Sequence, residues 1–134
     1  MSEENVEIVR RGFTAWESGN PAAMLENFDE DVVSRRMAPL IDSHTHHGHA
    51  GVIQMIAEWL EPYDHFSSHA DEFIDAGDRV VVRVPQEARL AGSDQLITGT
   101  FWFLLELQGE KVIRLEIYGE RKQAFEAAGL RERA

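Results

Sequence analysis

The residues best equipped for chemistry sit in one short run, Ser43-His44-Thr45-His46-His47-Gly48-His49, which places four histidines within six positions. Neutral imidazole is a ligand for zinc and other borderline metals, so two of these rings and a carboxylate such as Asp42 could support metal-assisted chemistry. The spacing contains no helical i, i+4 histidine pair of the metalloprotease kind. The competing reading is therefore a solvated loop whose His49 flanks the start of a helix, and on it the chain holds no metal. A second set lies further on, where Arg114, Glu116 and Tyr118 alternate with Ile113, Leu115 and Ile117, so that strand geometry gathers the polar trio on one face. A carboxylate in an apolar enclosure has its pKa raised by desolvation and lowered by an arginine neighbour, which could tune Glu116 as a general base. A structural arginine–glutamate cross-strand pair is the alternative. Arg83 is a further arginine that could reach a carbonyl or anionic oxygen, or lie on the rim. Trp16, Trp59 and Trp102 come from separate segments and either converge on a flat apolar slot or pack as core. Arg35 and Arg36 could select an acidic ligand, or pair with the Asp29-Glu30-Asp31 run.

What must position these residues is bounded by composition. The 134 residues suit one domain, 43% hydrophobic and 28% charged, with no apolar run near the roughly 20 residues that cross a bilayer. The acidic start Met1-Ser2-Glu3-Glu4-Asn5 has neither the basic nor the apolar region of a secretory signal, so a cytoplasmic location is expected. With no cysteine, chemistry falls to His, carboxylates, Tyr, Arg or Lys. A net charge of −11, unrelieved by any basic run, repels phosphate backbones and argues against a nucleic-acid partner.

Val6, Val9, Phe13 and Trp16 recur at helical spacing and predict a helix from about Glu3 to Ser18, stopped by Gly19. Asn20-Pro21 then reads as an N-cap followed by a favoured first helical residue, opening a short helix with Met24, Leu25 and Phe28. Val32 to Met37 reads as a short strand kept peripheral by Pro39. Val52, Met55, Ile56, Trp59 and Leu60 give a third helix, ended at Glu61-Pro62. From His65 the pattern turns to long strands: one ending near Asp75, then Arg79–Val84, Leu96–Leu107 and Val112–Tyr118. Lys122 to Ala128, with Gly129 as C-cap, closes the chain as a short helix. The expected class is α+β, helices leading and a curved antiparallel sheet following. Phe101, Phe103 and Leu105 alternate with Trp102 and Leu104, so the sheet is apolar on both faces. One face packs the helices and the other needs a cover, for which a homodimer is the natural candidate.

The order of elements, with Gly19-Asn20-Pro21, Gly48-His49-Ala50-Gly51-Val52, the run from Phe73 to Val82 and Gly109 to Tyr118, resembles the SnoaL-like family of the nuclear-transport-factor-2-like superfamily. Its relatives include ketosteroid isomerases, polyketide cyclases and limonene epoxide hydrolases. The resemblance spans nearly the whole chain as a single domain, 1–134. It implies a cone-shaped α+β barrel with three N-terminal helices packed on a curved, mostly antiparallel sheet, a pocket between helices and concave sheet face, and commonly a homodimer. Ketosteroid isomerisation needs a carboxylate base and an oxyanion hole of a tyrosine and a protonated carboxylic acid. Here Ser34-Arg35-Arg36-Met37 offers no carboxylate, Phe13 to Ser18 no tyrosine, and the position of the acid falls near Trp102. The familiar mechanism is therefore not expected.

The resemblance points the Arg114, Glu116 and Tyr118 face into the cavity, together with Trp16 and Trp102, and leaves Phe103 to the outer face. It also favours His46 and His49 as pocket residues, His49 standing at the family's Gly-His-x-Gly position. The expected function is binding of a cyclic or aromatic apolar ligand through Trp16, Trp59, Trp102, Arg114, His46 and Met37, without a cofactor. Any catalysis is expected to be proton transfer in isomerisation, cyclisation or hydration, with Glu116 or His49 as base and Tyr118 or Arg83 as polariser. The alternatives are a metal-assisted enzyme using the His44–His49 loop and a non-catalytic dimeric binding or assembly module.

Overall fold

The computed structural model describes residues 2–37 and 44–130. The elements run α1 (Ser2–Glu17), α2 (Pro21–Leu25), β1 (Phe28–Arg36), β2 (Thr45–His47), α3 (Gly48–Leu60), β3 (Tyr63–Ser68), β4 (Glu72–Ala76), β5 (Arg79–Leu90), β6 (Leu96–Gln108), β7 (Lys111–Tyr118) and α4 (Arg121–Ala127). Between α1 and α2 the Asn20 side chain accepts a hydrogen bond from the Ala23 amide at 3.1 Å, and Pro21 supplies the first helical residue, whose missing amide hydrogen costs nothing there. No helix among the described residues is long and apolar enough to cross a membrane.

The seven strands form one curved sheet in the order β2-β1-β7-β6-β5-β3, with β4 also paired to β5. Every pairing is antiparallel except β1 with β7, which is parallel and brings Phe28 beside Val112. The result is an α+β cone: α1 and α3 pack into the concave face and the strands wrap round them.

Five strands differ from the sequence reading: β2 forms where a loop was expected and leaves β1 between two neighbours instead of at the margin, and β1, β3, β4 and β5 differ in extent. Phe28, expected on the second helix, begins β1 and is buried in the core. The strand expected to end near Asp75 is divided into β3 and β4, which pair with successive stretches of β5. β5 itself runs through Pro85 to Leu90 instead of stopping at Val84. The carbonyl of Pro85 accepts from the His69 amide in the connection between β3 and β4. An antiparallel residue directs its nitrogen and carbonyl to the same side, so the proline nitrogen faces the gap between the two partner strands and no ladder bond is lost.

Burial divides the sheet into two faces. Val80, Val82, Val84, Phe101, Phe103 and Leu105 face the helices, in a cluster that includes Val9, Val52 and Met55. Val81, Trp102, Leu104 and Tyr118 face outward and are covered by Ala124, Phe125 and Ala128 of the α4 segment. The outer apolar patch is thus shielded within the chain. This corrects the expectation that Phe101, Phe103 and Leu105 form an outer surface for a second subunit: they point inward, and Trp102 points out.

Candidate functional site

Between α1, α3 and the concave sheet face lies a cavity of about 90 Å³. Phe13 and Trp16 wall it from α1, Met55 and Trp59 from α3, and Phe103 and Ile117 from the sheet. Aromatic edges hold these walls. Phe13 meets Phe103 edge-on at 5.5 Å between centroids, and Trp59 meets Phe101 in the same way at 4.8 Å. The polar lining is neutral, consisting of Asn27, Ser68 and Gln86, with the Trp16 indole N–H donating to Ser68 Oγ at 3.3 Å. Among the described residues, no ionisable side chain lines this cavity.

Of the tryptophans expected to converge, Trp16 and Trp59 reach the cavity, whereas Trp102 is on the convex face under Phe125, their rings edge-on at 6.2 Å. Arg114, Glu116 and Tyr118 do share a face, but it is also the convex one. The cause is an irregularity in the β6–β7 ladder, where Glu106 pairs with Arg114 and Leu107 with Val112, leaving Ile113 as an extra residue. Val112 faces the core, and regular alternation from it would carry Arg114, Glu116 and Tyr118 inward. The bulge sends Leu115 and Ile117 in instead.

The convex trio forms its own network. Tyr118 donates to Glu116 Oε1 at 2.9 Å, and Arg114 lies 3.7 Å from both Glu116 and Glu106. Burial, followed by the neighbouring Glu116 carboxylate, pushes the Tyr118 hydroxyl well above the usual phenol range. Arg83, opposite Trp102 on the same face, is ion-paired with Asp71. Met37 packs against the outer cluster. None of these residues touches the cavity, so the acid–base and polarising roles expected of Glu116, Tyr118 and Arg83 have no route to a ligand bound there.

The histidine run is divided between strand β2 and the first turn of α3, and His49 flanks the helix start. His49 lies in the first turn of α3 with Nε2 2.8 Å from the Phe28 carbonyl, so it ties the helix to the start of β1 instead of facing the cavity. His46 is buried, 4% exposed, between β1 and α3. Its seat depends on Gly51, because a Cβ there would stand 2.9 Å from the His46 carbonyl carbon and 3.0 Å from its Cβ. Two turns along α3 from Gly51, Glu58 brings Oε1 to 3.9 Å from His46 Nε2 and 4.0 Å from Arg36 Nη2. The Arg36 guanidinium lies over the Trp59 ring at 5.3 Å. Glu58 escaped the sequence reading because it sits beside the apolar stripe of α3. The spacing Gly51, Met55, Glu58 along one helix face was the available signal. Asp42, the carboxylate considered for the histidines, lies outside the described residues, as does Pro39.

Similarity to known proteins agrees with this architecture. The crystal structure of TerC co-crystallised with polyporic acid superposes with a TM-score of 0.75 at 22% identity, covering 94% of this chain and 98% of that one. A protein of ketosteroid isomerase-like fold from Catenulispora acidiphila DSM 44928, in complex with trimethylamine, gives 0.70 at 21% identity over 93% and 94% of the two chains. A candidate SnoaL-like polyketide cyclase from Jannaschia sp. CCS1 gives 0.75 at 18% identity over 98% and 95%. No curated protein is similar enough in sequence to count as a match. At such identities the likeness is one of fold. The SnoaL-like domain matches residues 9–115, and with that span and the cone fold the chain belongs to the SnoaL-like domain family.

Proposed function

We propose that the protein binds a compact apolar or aromatic molecule in the cavity between α1, α3 and the sheet, with Trp16 and Trp59 as the flat walls. The observation that carries this reading is the composition of the lining: apolar and aromatic throughout, with three neutral polar side chains, Asn27, Ser68 and Gln86, to orient a ligand. Size narrows the class. An engineered cavity of ~150 Å³ lined by Leu, Ile and Phe takes up benzene, and the volume here, about 90 Å³, suits a short branched molecule as it stands and a single ring once a wall side chain yields. A larger cyclic ligand requires Trp16 or Trp59 to turn aside.

The reading is one of binding and orientation, without a cavity side chain as acid or base. Two of the structurally similar proteins come with small organic molecules, polyporic acid and trimethylamine, which supports the ligand class in general terms. A homodimer, implied by the family resemblance, belongs to this reading only as contact through the part of the convex face that α4 leaves uncovered. That part carries Arg83, Glu87, Thr98 and Thr100, with the exposed Leu96 at its far end.

The test is a thermal-shift and tryptophan-fluorescence screen with one-ring probes such as p-cresol and toluene, and two-ring probes of the naphthalene type. A ligand present at ~100 Kd stabilises by about 2.7 kcal/mol and raises Tm by roughly 10 °C. The expected result is a saturable shift for one-ring probes, accommodated as the cavity walls yield, that Val84→Phe, which fills the cavity, removes. The reading fails if no apolar probe gives a saturable response, or if Val84→Phe leaves the response intact.

A further inference from the structure

Around β1, β2 and α3, the buried atoms Ser34 Oγ, His46 Nε2 and Glu58 Oε1 have no hydrogen-bond partner among the described residues. Buried polar atoms are nearly always satisfied, so the unpaired His46 and Glu58 atoms, 3.9 Å apart, point to an occupant between them. Ser34 and His46 are direct partners across β1 and β2, and therefore share a face. Both are almost fully enclosed, at 1% and 4% exposure. The His46–Glu58 separation of 3.9 Å is too long for a hydrogen bond. His44, two residues before His46, packs its ring against the His46 ring at 4.5 Å. One donor atom each from His44, His46 and Glu58 lies within 4.8 Å of the other two.

We propose that His44, His46 and Glu58 form a binding site for one divalent transition-metal ion of the zinc class. Two imidazoles and one carboxylate select borderline metals over calcium or magnesium, which take oxygen ligands. Around a tetrahedral ion with bonds near 2.0–2.1 Å, neighbouring ligand atoms stand about 3.4 Å apart. The His46–Glu58 pair is already close to that spacing, and a small side-chain rotation of Glu58 or His44 closes the rest. Three protein ligands leave a fourth position open to water, with the Ser34 hydroxyl on the same face. Arg36, 4.0 Å from Glu58, works against the ion through its charge, so the site binds more weakly than a structural zinc centre. The other two histidines of the run take no part. His47 is exposed on β2, and the His49 Nε2 is engaged with the Phe28 carbonyl.

The experiment titrates tag-free, chelator-treated protein with Zn²⁺ by calorimetry and with Co²⁺ by visible absorption, the cobalt bands reporting coordination geometry directly. It uses the metal alone, so its outcome is separable from that of the apolar-ligand screen. The expected result is one ion per chain, weakened ~10-fold or more by His46→Ala and by the isosteric Glu58→Gln, and unchanged by His47→Ala. Circular dichroism confirms that each variant is folded. The proposal is overturned if no saturable binding occurs at millimolar metal, or if Glu58→Gln binds as tightly as the parent. It is equally overturned if His47→Ala weakens binding as much as His46→Ala, since that would mark a diffuse histidine-run affinity.

Discussion

Tyr118 couples protonation to folding more clearly than any other side chain described. Its hydroxyl is held above the ordinary phenol range by burial and by the Glu116 carboxylate that accepts its proton at 2.9 Å. A group whose pKa is higher folded than unfolded keeps more protons in the native state above the unfolded value, so stability falls as pH rises past about 10. Below that value the contribution is fully present. Tyr118→Phe should flatten this alkaline loss of stability, measured as Tm between pH 9 and 11.5. Glu116→Gln should lower the tyrosinate titration midpoint while leaving cavity ligands bound as before. An effect of Glu116→Gln on ligand affinity would place the carboxylate on the wrong side of the sheet in this account.

Among the elements, α3 shows how one small residue sets the position of several large ones. Gly51 allows the helix to press on β2 until a methyl group would meet the His46 backbone at 2.9 Å. Gly51→Ala forces the helix and strand apart and should cost about 1–3 kcal/mol despite the better helix propensity of alanine. A denaturation midpoint unchanged or raised in that variant would show the contact to be loose. Much at this scale was legible beforehand: the α3 stripe from Val52 to Leu60, its stop at Glu61-Pro62 and the Asn20-Pro21 start of α2 follow from local rules. What escaped were features set by neighbours in space. The extra residue at Ile113 inverts the β7 faces but leaves the alternation itself unaltered. Pro85 is tolerated within β5 only because its nitrogen meets the gap between β3 and β4. Glu58 acquires meaning only once β1 and β2 bring Ser34, Arg36 and His46 beneath it. Trp16 and Trp59 were readable as candidates from their helical stripes, whereas Trp102 needed the direction of the sheet to be known.

For the whole molecule, the sheet is a partition with an apolar side for the cavity and another for α4. Phe103 is the residue that separates this arrangement from a dimer seated on the phenylalanine face, because its ring contacts Phe13 across the interior. Phe103→Glu is expected to destabilise the fold by several kcal/mol through an unpaired buried carboxylate, whatever the oligomeric state. Sedimentation velocity and thermal melting on the same sample check this. Dissociation with unchanged Tm would return Phe103 to an interface. The α4 cover has a consequence in time as well. Arg121 lies over the Phe125 and Trp102 rings, at 4.6 and 5.7 Å, which fastens that helix over the outer patch only after all seven strands precede it in the chain. In a folding chain whose strands pair before α4 docks, Trp102, Leu104 and Tyr118 have nothing over them, and transiently exposed apolar surface of this kind is what makes folding intermediates stick to partners. The interval before α4 docks is therefore the period when a folding chain most needs a chaperone.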